Sequence, residues 1–245
     1  LPICLILTDS KKSKMILDDL DVGLTYDDVL IRPMKSLLSR SEADPSSYIP
    51  LQQGKQFPLK LPIMSANMNS VTEANMAINI RKAGGIGVIH RFMKPAESVN
   101  QLIRCNKAGV IAFMSVGVND EDRLHDLADA LCSFWCVDIA NGFSDSAARV
   151  IEKIRKISAV PVTIMAGNVA TAEGAMFLRD AGADIIKVGI GPSGVCSTRL
   201  VTGCGYPQLT AVAECSEVVD YVIADGGIRT SGDIVKALVA GADAV

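Results

Sequence analysis

Histidine is scarce in this 245-residue sequence: only His90 and His125 occur, and none of the seven cysteines forms a Cys-x-x-Cys pair. That scarcity of paired ligands argues against a zinc site. An excess of basic charge is missing too. Twenty-four Lys and Arg against 27 Asp and Glu leave a net charge of −3. No basic surface therefore advertises nucleic acid or an anionic membrane, although a local basic site for one phosphate is compatible with this balance. No segment reaches the ~18 consecutive apolar residues of a membrane span. The opening "LPICLILT" is apolar but short, lacks an initiating Met and has no basic region before it. It does not read as a signal peptide. Residues 1–14 read as a leader or upstream remnant ahead of Met15, and 15–245 as a single catalytic domain. The cysteines (Cys4, Cys105, Cys132, Cys136, Cys196, Cys204 and Cys215) are odd in number. They read as reduced thiols of a cytoplasmic enzyme.

What the sequence does have is a recurring alternation. Short apolar runs of strand type lie at 61–67, 85–90, 110–117, 134–140, 161–167, 185–191, 221–227 and 242–245. Between them lie stretches such as "TEANMAINIRKAG", "DEDRLHDLADALC", "SAARVIEKIRKI" and "TAEGAMFLRDAG". Each carries apolar residues at helical spacing, and several close on Gly, a common helix stop. Strands that are apolar almost throughout suit a parallel sheet covered by helices, which are the crossovers such a sheet requires. Eight in alternation predict an α/β fold of the (β/α)8 TIM-barrel type, with a doubly wound open sheet as the alternative. The sequence stops inside the eighth run, so the barrel is expected to be C-terminally incomplete, with an open sheet edge. Barrel enzymes place their sites on the loops after strand C-termini. Asn67, His90, Asp138, Asn168, Gly191 and Asp225 all end or follow apolar runs.

The segment "KVGIGPSGVCSTR" (187–199) carries most of the chemistry. A glycine-dense loop offers backbone N–H groups as an anion nest and lets a ligand approach the main chain. Cys196 closes that loop, with Arg199 three residues on and Thr198 placed to relay a proton. A thiolate in such a setting is a nucleophile; elsewhere a cysteine is usually a small buried hydrophobe. Asp225-Gly226-Gly227 suits a ribose diol with glycines admitting sugar or phosphate, and equally suits a helix cap or turn. Asp138 has the same two readings. Asn168 bonds a base edge or closes its loop, and His90 is catalytic or, more often for a lone histidine, structural. Gly189, Gly191 and Gly194 copy the spacing of a dinucleotide-binding fingerprint. Pro192 after the second glycine, with no helix opening there, rules that reading out. Cys132 and Cys136 read as packing.

"IKVGIGPSGVCSTR", "MAGNVATAEG" and "ADGGI-x-x-SGD" together resemble the IMP dehydrogenase/GMP reductase family, from about Leu24 to Val245. The resemblance implies a (β/α)8 barrel assembled as a homotetramer, acting on a purine nucleotide, GMP or IMP. Only about twenty residues separate the second and third apolar runs, so no inserted regulatory domain of the CBS type fits there. "RPMKSLLSRSEAD", "SANMNSVTE", "DIANGFS" and "TGCGYPQL" followed by "EC" resemble the reductase branch. That branch implies NADPH-dependent conversion of GMP to IMP and ammonia through a covalent thioimidate on Cys196. Thr198 would move protons with a Glu expected after Val245. Met68, Asn168, Ser193, Gly194, Asp225, Gly226 and Gly227 would bind substrate. Ser39, Arg40, Arg91, Asp138, Ile139, Ala140, Ile190 and Gly191 would bind NADPH. The carbonyls of Gly191, Ser193, Cys196 and Arg199 would hold K+. An IMP dehydrogenase without regulatory domains is the alternative, and a truncated barrel that only binds nucleotide or packs as a subunit is a third.

Two departures stand out. The family loop usually reads Gly-Pro-Gly-Ser where this chain has Gly191-Pro192-Ser193-Gly194. A serine at 193 is strained if that position needs positive φ. Arg91 stands where reductases usually have Lys, which keeps the charge and changes the geometry.

Overall fold

The first ordered strands are ones the apolar pattern does not announce. In the computed structural model, which describes residues 22–35, 38–194 and 196–245 without the Arg40 side chain, β1 (Ser47–Pro50) pairs antiparallel with β2 (Gln56–Leu59). The leader expected over residues 1–14 lies outside the described residues.

Seven parallel strands follow, each hydrogen-bonded to the next in chain order. They are β3 (Met64–Ser65), β4 (Ile86–Ile89), β5 (Ala112–Val116), β6 (Phe134–Asp138), β7 (Thr163–Val169), β8 (Ile185–Val188) and β9 (Val222–Ala224). Six fall within the expected apolar runs, and β7 overruns the expected 161–167 by two residues. The helices between them are α1 (Ala74–Ala83), α2 (Pro95–Lys107), α3 (Glu121–Asp129), α4 (Asp145–Ile157), α5 (Ala172–Asp180), α6 (Thr198–Thr202) and α7 (Gln208–Ser216). After β9 comes α8 (Ser231–Val239). The helix boundaries follow local chemistry. Ser144, Thr171 and Thr230 accept from the backbone N–H three residues on and so start α4, α5 and α8. Gly84, at φ 109°, stops α1 in a conformation that favours glycine. Only α2 and its loops join β4 to β5.

The last residues close the ring. Ala244 bridges Ile223 in parallel, and Ala224 N–H donates to Ala244 O at 3.0 Å. On the other side, Met64 N–H donates to Val245 O at 2.7 Å and Val245 N–H to Pro62 O at 2.9 Å. The expectation of an open sheet edge therefore fails: Asp243–Val245, short as it is, bonds to both the last strand and the first. The fold is a (β/α)8 TIM barrel that is incomplete at its C-terminal end, with seven full strands and Ala244 joined to them by a single bridge.

Alternation along the strands sorts side chains into two cores. Trp135 and Val137 of β6, Ile164 and Ala166 of β7, and Ile186 and Val188 of β8 face the helices. Cys136, Met165, Ile185 and Ile223 face the barrel interior, where Ile49 and Leu59 of the β1–β2 hairpin join them. That hairpin plugs the N-terminal end. Gln52 Nε2 donates to Val162 O, Thr163 Oγ1 to Pro50 O, Ser47 Oγ to Asp243 O and the Tyr221 hydroxyl to Tyr48 O. All four contacts are at strand beginnings.

Leu59 is fully buried in this plug. Leu59→Ala should cost about 2–5 kcal/mol through lost transfer energy and a cavity. Urea unfolding measures that loss. The alkylation kinetics of Cys196 at the opposite end should not change, and a change there would show that the plug and the mouth are not separate.

Candidate active site

Two residues beyond each interior apolar position, the same alternation reaches the C-terminal mouth. Cys136 leads to Asp138, Ile185 to Lys187 and Ile223 to Asp225. The interior layer thus turns from apolar to charged within one step of strand. Lys187 is buried, and its Nζ lies 2.7 Å from Asp225 Oδ2, 3.1 Å from Asp138 Oδ1 and 3.5 Å from Asn67 Oδ1. Gly167 beside it has no room for a side chain: a Cβ there would sit 2.4 Å from Lys187 O and 2.7 Å from Lys187 Cβ. Burial works against the ammonium, but the two carboxylates outweigh it and raise its pKa. Burial likewise opposes the Asp225 charge, and Lys187 with the Asn168 amide wins, holding that carboxyl below its ordinary value. Sequence reading passed over Lys187 as part of an apolar run. The signal that could have found it is the two-residue step from Ile185.

A cleft of about 390 Å³ opens over this layer. Arg91 and Phe92 enter it from the β4 loop, and Asp138, Ile139 and Ala140 from β6. Met68, Asn168 and Gly226 add to its walls, and the β8 loop supplies Ile190, Gly191, Ser193, Cys196 and Thr198. Most of the expected site residues are thereby brought together. Gly194, Gly227 and Arg199 line an adjoining recess of about 400 Å³ that shares Ser193 with the cleft and also holds Arg229. Ser39 is not brought in. Its hydroxyl and backbone N–H are both given to Glu42 Oε2 at 2.7 Å, capping a short turn, and it does not line the cleft, while the Arg40 side chain lies outside the described residues. His90 is buried, with Nδ1 accepting from Phe92 N–H at 3.0 Å, which sets the β4 loop and leaves the ring outside the cleft lining.

The β8 loop is shaped by what glycine alone tolerates. Gly189 (φ 149°) passes so close to Asp225 O that a Cβ would lie 2.1 Å from it. Gly191 (φ 73°) packs against the Arg199 side chain, which reaches Tyr206 O at 3.0 Å. Neither Ser193 nor Gly194 has positive φ, so the inverted pair carries no backbone strain of that kind. Cys196 N–H donates to Ser193 O at 3.0 Å, and Cys196 Sγ lies 3.2 Å from Thr198 Oγ1. The thiol donates to this hydroxyl, and once the sulfur is ionised the hydroxyl can donate back to it, which favours the thiolate. This contact, then backbone bonds from Thr198 and Gly191 and the charge of Arg199, hold the Cys196 thiol below its ordinary value against a small burial effect. Cys132, Cys136 and Cys215 are pushed by burial up to about 12.

Two polar atoms in the cleft walls are buried without a hydrogen-bond partner: the donor Arg91 Nε, 3.9 Å from Asp138 Oδ2, and the acceptor Asn168 Oδ1. Both atoms are shielded from solvent in the cleft walls, which makes them costly unpaired groups. Around them, the Arg91 guanidinium lies 4.9 Å from the Phe92 ring centroid, a face on which a flat ring can stack. Of the four carbonyls expected to hold K+, Ser193 O and Arg199 O each already accept one backbone hydrogen bond, from Cys196 and Gly203. Their second lone pairs are what a cation would use.

Alkylation should separate the cysteines. With Cys204 replaced by Ser, iodoacetamide should modify Cys196 first, with a pH midpoint below the ~8.5 of an ordinary thiol. Thr198→Val removes the hydroxyl donor, so the midpoint should rise. A midpoint that ignores Thr198→Val would dismiss the hydroxyl as its cause.

Comparison with known proteins agrees with this geometry. Residues 23–245 match the model of the IMP dehydrogenase / GMP reductase domain. The chain is 38% identical to a GMP reductase of Shewanella halifaxensis, covering 92% of this chain and 67% of that protein. It is 39% identical to human GMP reductase 2, covering 93% and 68%. An inosine-5'-monophosphate dehydrogenase of Borreliella burgdorferi is 35% identical, covering 91% and 68%. The crystal structure of an inosine 5' monophosphate dehydrogenase from Legionella pneumophila superposes with a TM-score of 0.82 at 42% identity, covering 91% of this chain and 68% of that one. Among the described residues, no helix is long and apolar enough to cross a membrane. With matches of this extent and a barrel mouth built around Cys196, the chain belongs to the IMP dehydrogenase/GMP reductase family of oxidoreductases.

Proposed function

We propose that this chain reductively deaminates GMP to IMP and ammonia at the expense of NADPH. The observation that carries the reading is Cys196 Sγ held 3.2 Å from Thr198 Oγ1 at the mouth of the barrel, with its pKa lowered while the packed cysteines are raised. The thiolate attacks C2 of the guanine, and the amino group leaves as ammonia with a proton moved through Thr198. The product of this half is a thioimidate, joined by the new S–C2 bond. NADPH, when bound, supplies a hydride to C2. Breaking of the C–S bond then returns the thiolate and IMP. Splitting the displacement into two steps is what a covalent nucleophile contributes.

The chain's own groups fit this division. Asp225 is a charged acceptor for ribose hydroxyls, with Gly226 and Gly227 (φ 88° and 75°) leaving the main chain open beside it. The recess with Gly194, Arg199 and Arg229 suits the phosphate, since guanidinium and backbone N–H groups both favour an oxyanion. Met68 and Asn168 flank the base. Arg91, Asp138, Ile139, Ala140, Ile190 and Gly191 form the wall for the nicotinamide. Ser39 lies outside this cleft, so its contact with NADPH needs a moved segment or another subunit, and Arg40 is proposed to follow it. A K+ ion on Gly191, Ser193, Cys196 and Arg199 would stiffen the cysteine loop. Exposed Leu30, Met34, Leu38, Leu200 and Val201 support burial against further copies, as a homotetramer, in the cytoplasm.

IMP dehydrogenase is the second reading, favoured by the close superposition on one such enzyme. Against it stands the alignment with the Borreliella dehydrogenase. It runs over 281 positions, more than the 245 residues of this chain, so that enzyme carries extra residues within the matched stretch. The deciding assay gives the full-length protein GMP with NADPH, and separately IMP with NAD. NADPH consumption that depends on GMP is expected. Formation of NADH from IMP without it would sink the reductase reading. Cys196→Ala should reduce turnover by about three orders of magnitude or more while GMP still binds. Thr198→Val should lower kcat by about 10²–10⁴-fold.

A further inference from the structure

Lys187 is a buried charge to which the proposed chemistry gives no task. Its side chain is 7% exposed. An ammonium has three N–H donors, and here three acceptors converge on it from the ends of three strands. Asn67 follows β3, Asp138 ends β6 and Asp225 follows β9. Gly167 on the neighbouring strand leaves it the space. An ion pair that only balanced buried charge would be replaceable by apolar packing at little cost. This one instead joins two carboxylates that both line the ligand cleft.

We propose that Lys187 is a positioning residue: its ammonium orients Asp225 and Asp138 together and so ties the nucleotide end of the cleft to the dinucleotide end. The naming of the two ends rests on the reading of GMP and NADPH above. A ribose hydroxyl that donates to Asp225 weakens its pull on the ammonium. Lys187 then leans toward Asp138 and changes the wall that meets the second ligand. Affinities at the two ends are coupled through one cation, and the coupling is reciprocal.

The groups that face this triad are few. Asp225 faces Lys187 and the Asn168 amide. Asp138 faces Lys187 and Arg91. Lys187 also faces the Cys136 thiol, which burial pushes up to about 12 and keeps neutral. Removing the cation therefore leaves Asp225 with the Asn168 amide as its partner, and its protonation should move to higher pH.

The test measures GMP binding with and without NADPH in a Cys196→Ala background, which prevents turnover. In that background NADPH should change GMP affinity by about fivefold or more. Adding Lys187→Met should weaken GMP binding at pH 7 about tenfold or more, remove the coupling and give binding that is lost at higher pH than before. Lys187→Arg should keep part of both. Asp138→Asn with Lys187→Met restores the local charge, since one Lys and two Asp sum to −1, as does one Asp alone. That double variant should fold more readily than Lys187→Met and still lack the coupling. Recovery of coupling in it means that Lys187 is only a counter-ion and overturns the proposal, as does coupling unchanged within about twofold in Lys187→Met. Carboxylate titration by 13C NMR in the unliganded protein is the ligand-free arm. The Asp225 midpoint should rise by about one unit or more in Lys187→Met, and an unmoved midpoint overturns the proposal. If GMP does not bind the parent protein, the functional reading fails and this titration alone judges Lys187.

Discussion

The active end of this barrel depends on one buried ammonium. Lys187 stands where the interior of the barrel stops being apolar, and without it Asp138 and Asp225 would face each other across a closed layer with no cation between them. Two like charges in such a place cannot both stay ionised cheaply. The strand register decides that they meet at all: Asp138 pairs with Gly167, and Gly167 with Lys187. A one-residue slip of β8 would turn Lys187 into the helix layer and bring Ile186 or Val188 to the mouth. Glycine at 167 is the complementary requirement, since any side chain there would meet Lys187.

From this layer outward, the loops differ in how they are held. The β4 loop is fastened from behind. His90 accepts from Phe92 N–H, and Arg123 donates to Met93 O at 2.6 Å and to Ser98 Oγ. Arg91 is thus presented on a rigid stem. The β8 loop has less behind it. Its short helix α6 buries no residue, and Leu200 and Val201 stand in solvent. It is shaped instead by close approaches at Gly189 and Gly191 and by the threading of Arg199. A nucleophile that must form and break a bond to substrate benefits from such a loop, because adjusting it disturbs no core packing.

Most of the fold was legible because the parallel strands are buried on both faces and so read as unbroken apolar runs. The β1–β2 hairpin was not. "SYIP" and "QFPL" are four residues each and contain Pro, and each has only one fully buried residue, Ile49 and Leu59. The closure of the ring was missed for a different reason. Strand ends are judged in sequence by length, whereas Ala244 and Val245 need only a few backbone bonds to neighbours already in place. At the site, residues that follow apolar runs were readable by position alone, as Asp138, Asn168 and Asp225 illustrate. Lys187 was hidden inside a run, because a charge amid Ile and Val looks like an interruption until the inward face is followed two residues at a time. Ser39 does not line the cleft of this chain: a motif resemblance says which residues match and nothing about whether one chain brings them to its own cleft.

The two ends of the barrel also answer to different physical rules. At the N-terminal end the contacts are largely apolar or hydrogen bonds to carbonyls, and Ile49, Leu59 and Tyr221 are almost wholly buried there. Nothing at that end needs to be accessible, so packing alone sets its composition. At the mouth, Arg91 Nε and Asn168 Oδ1 are left unpaired, two carboxylates share one cation, and a thiol is kept below its ordinary pKa. Unpaired polar atoms buried in this way cost folding free energy. The closed ring and its plug make that tolerable, because the unfavourable terms are confined to one layer of a barrel whose remaining layers are apolar.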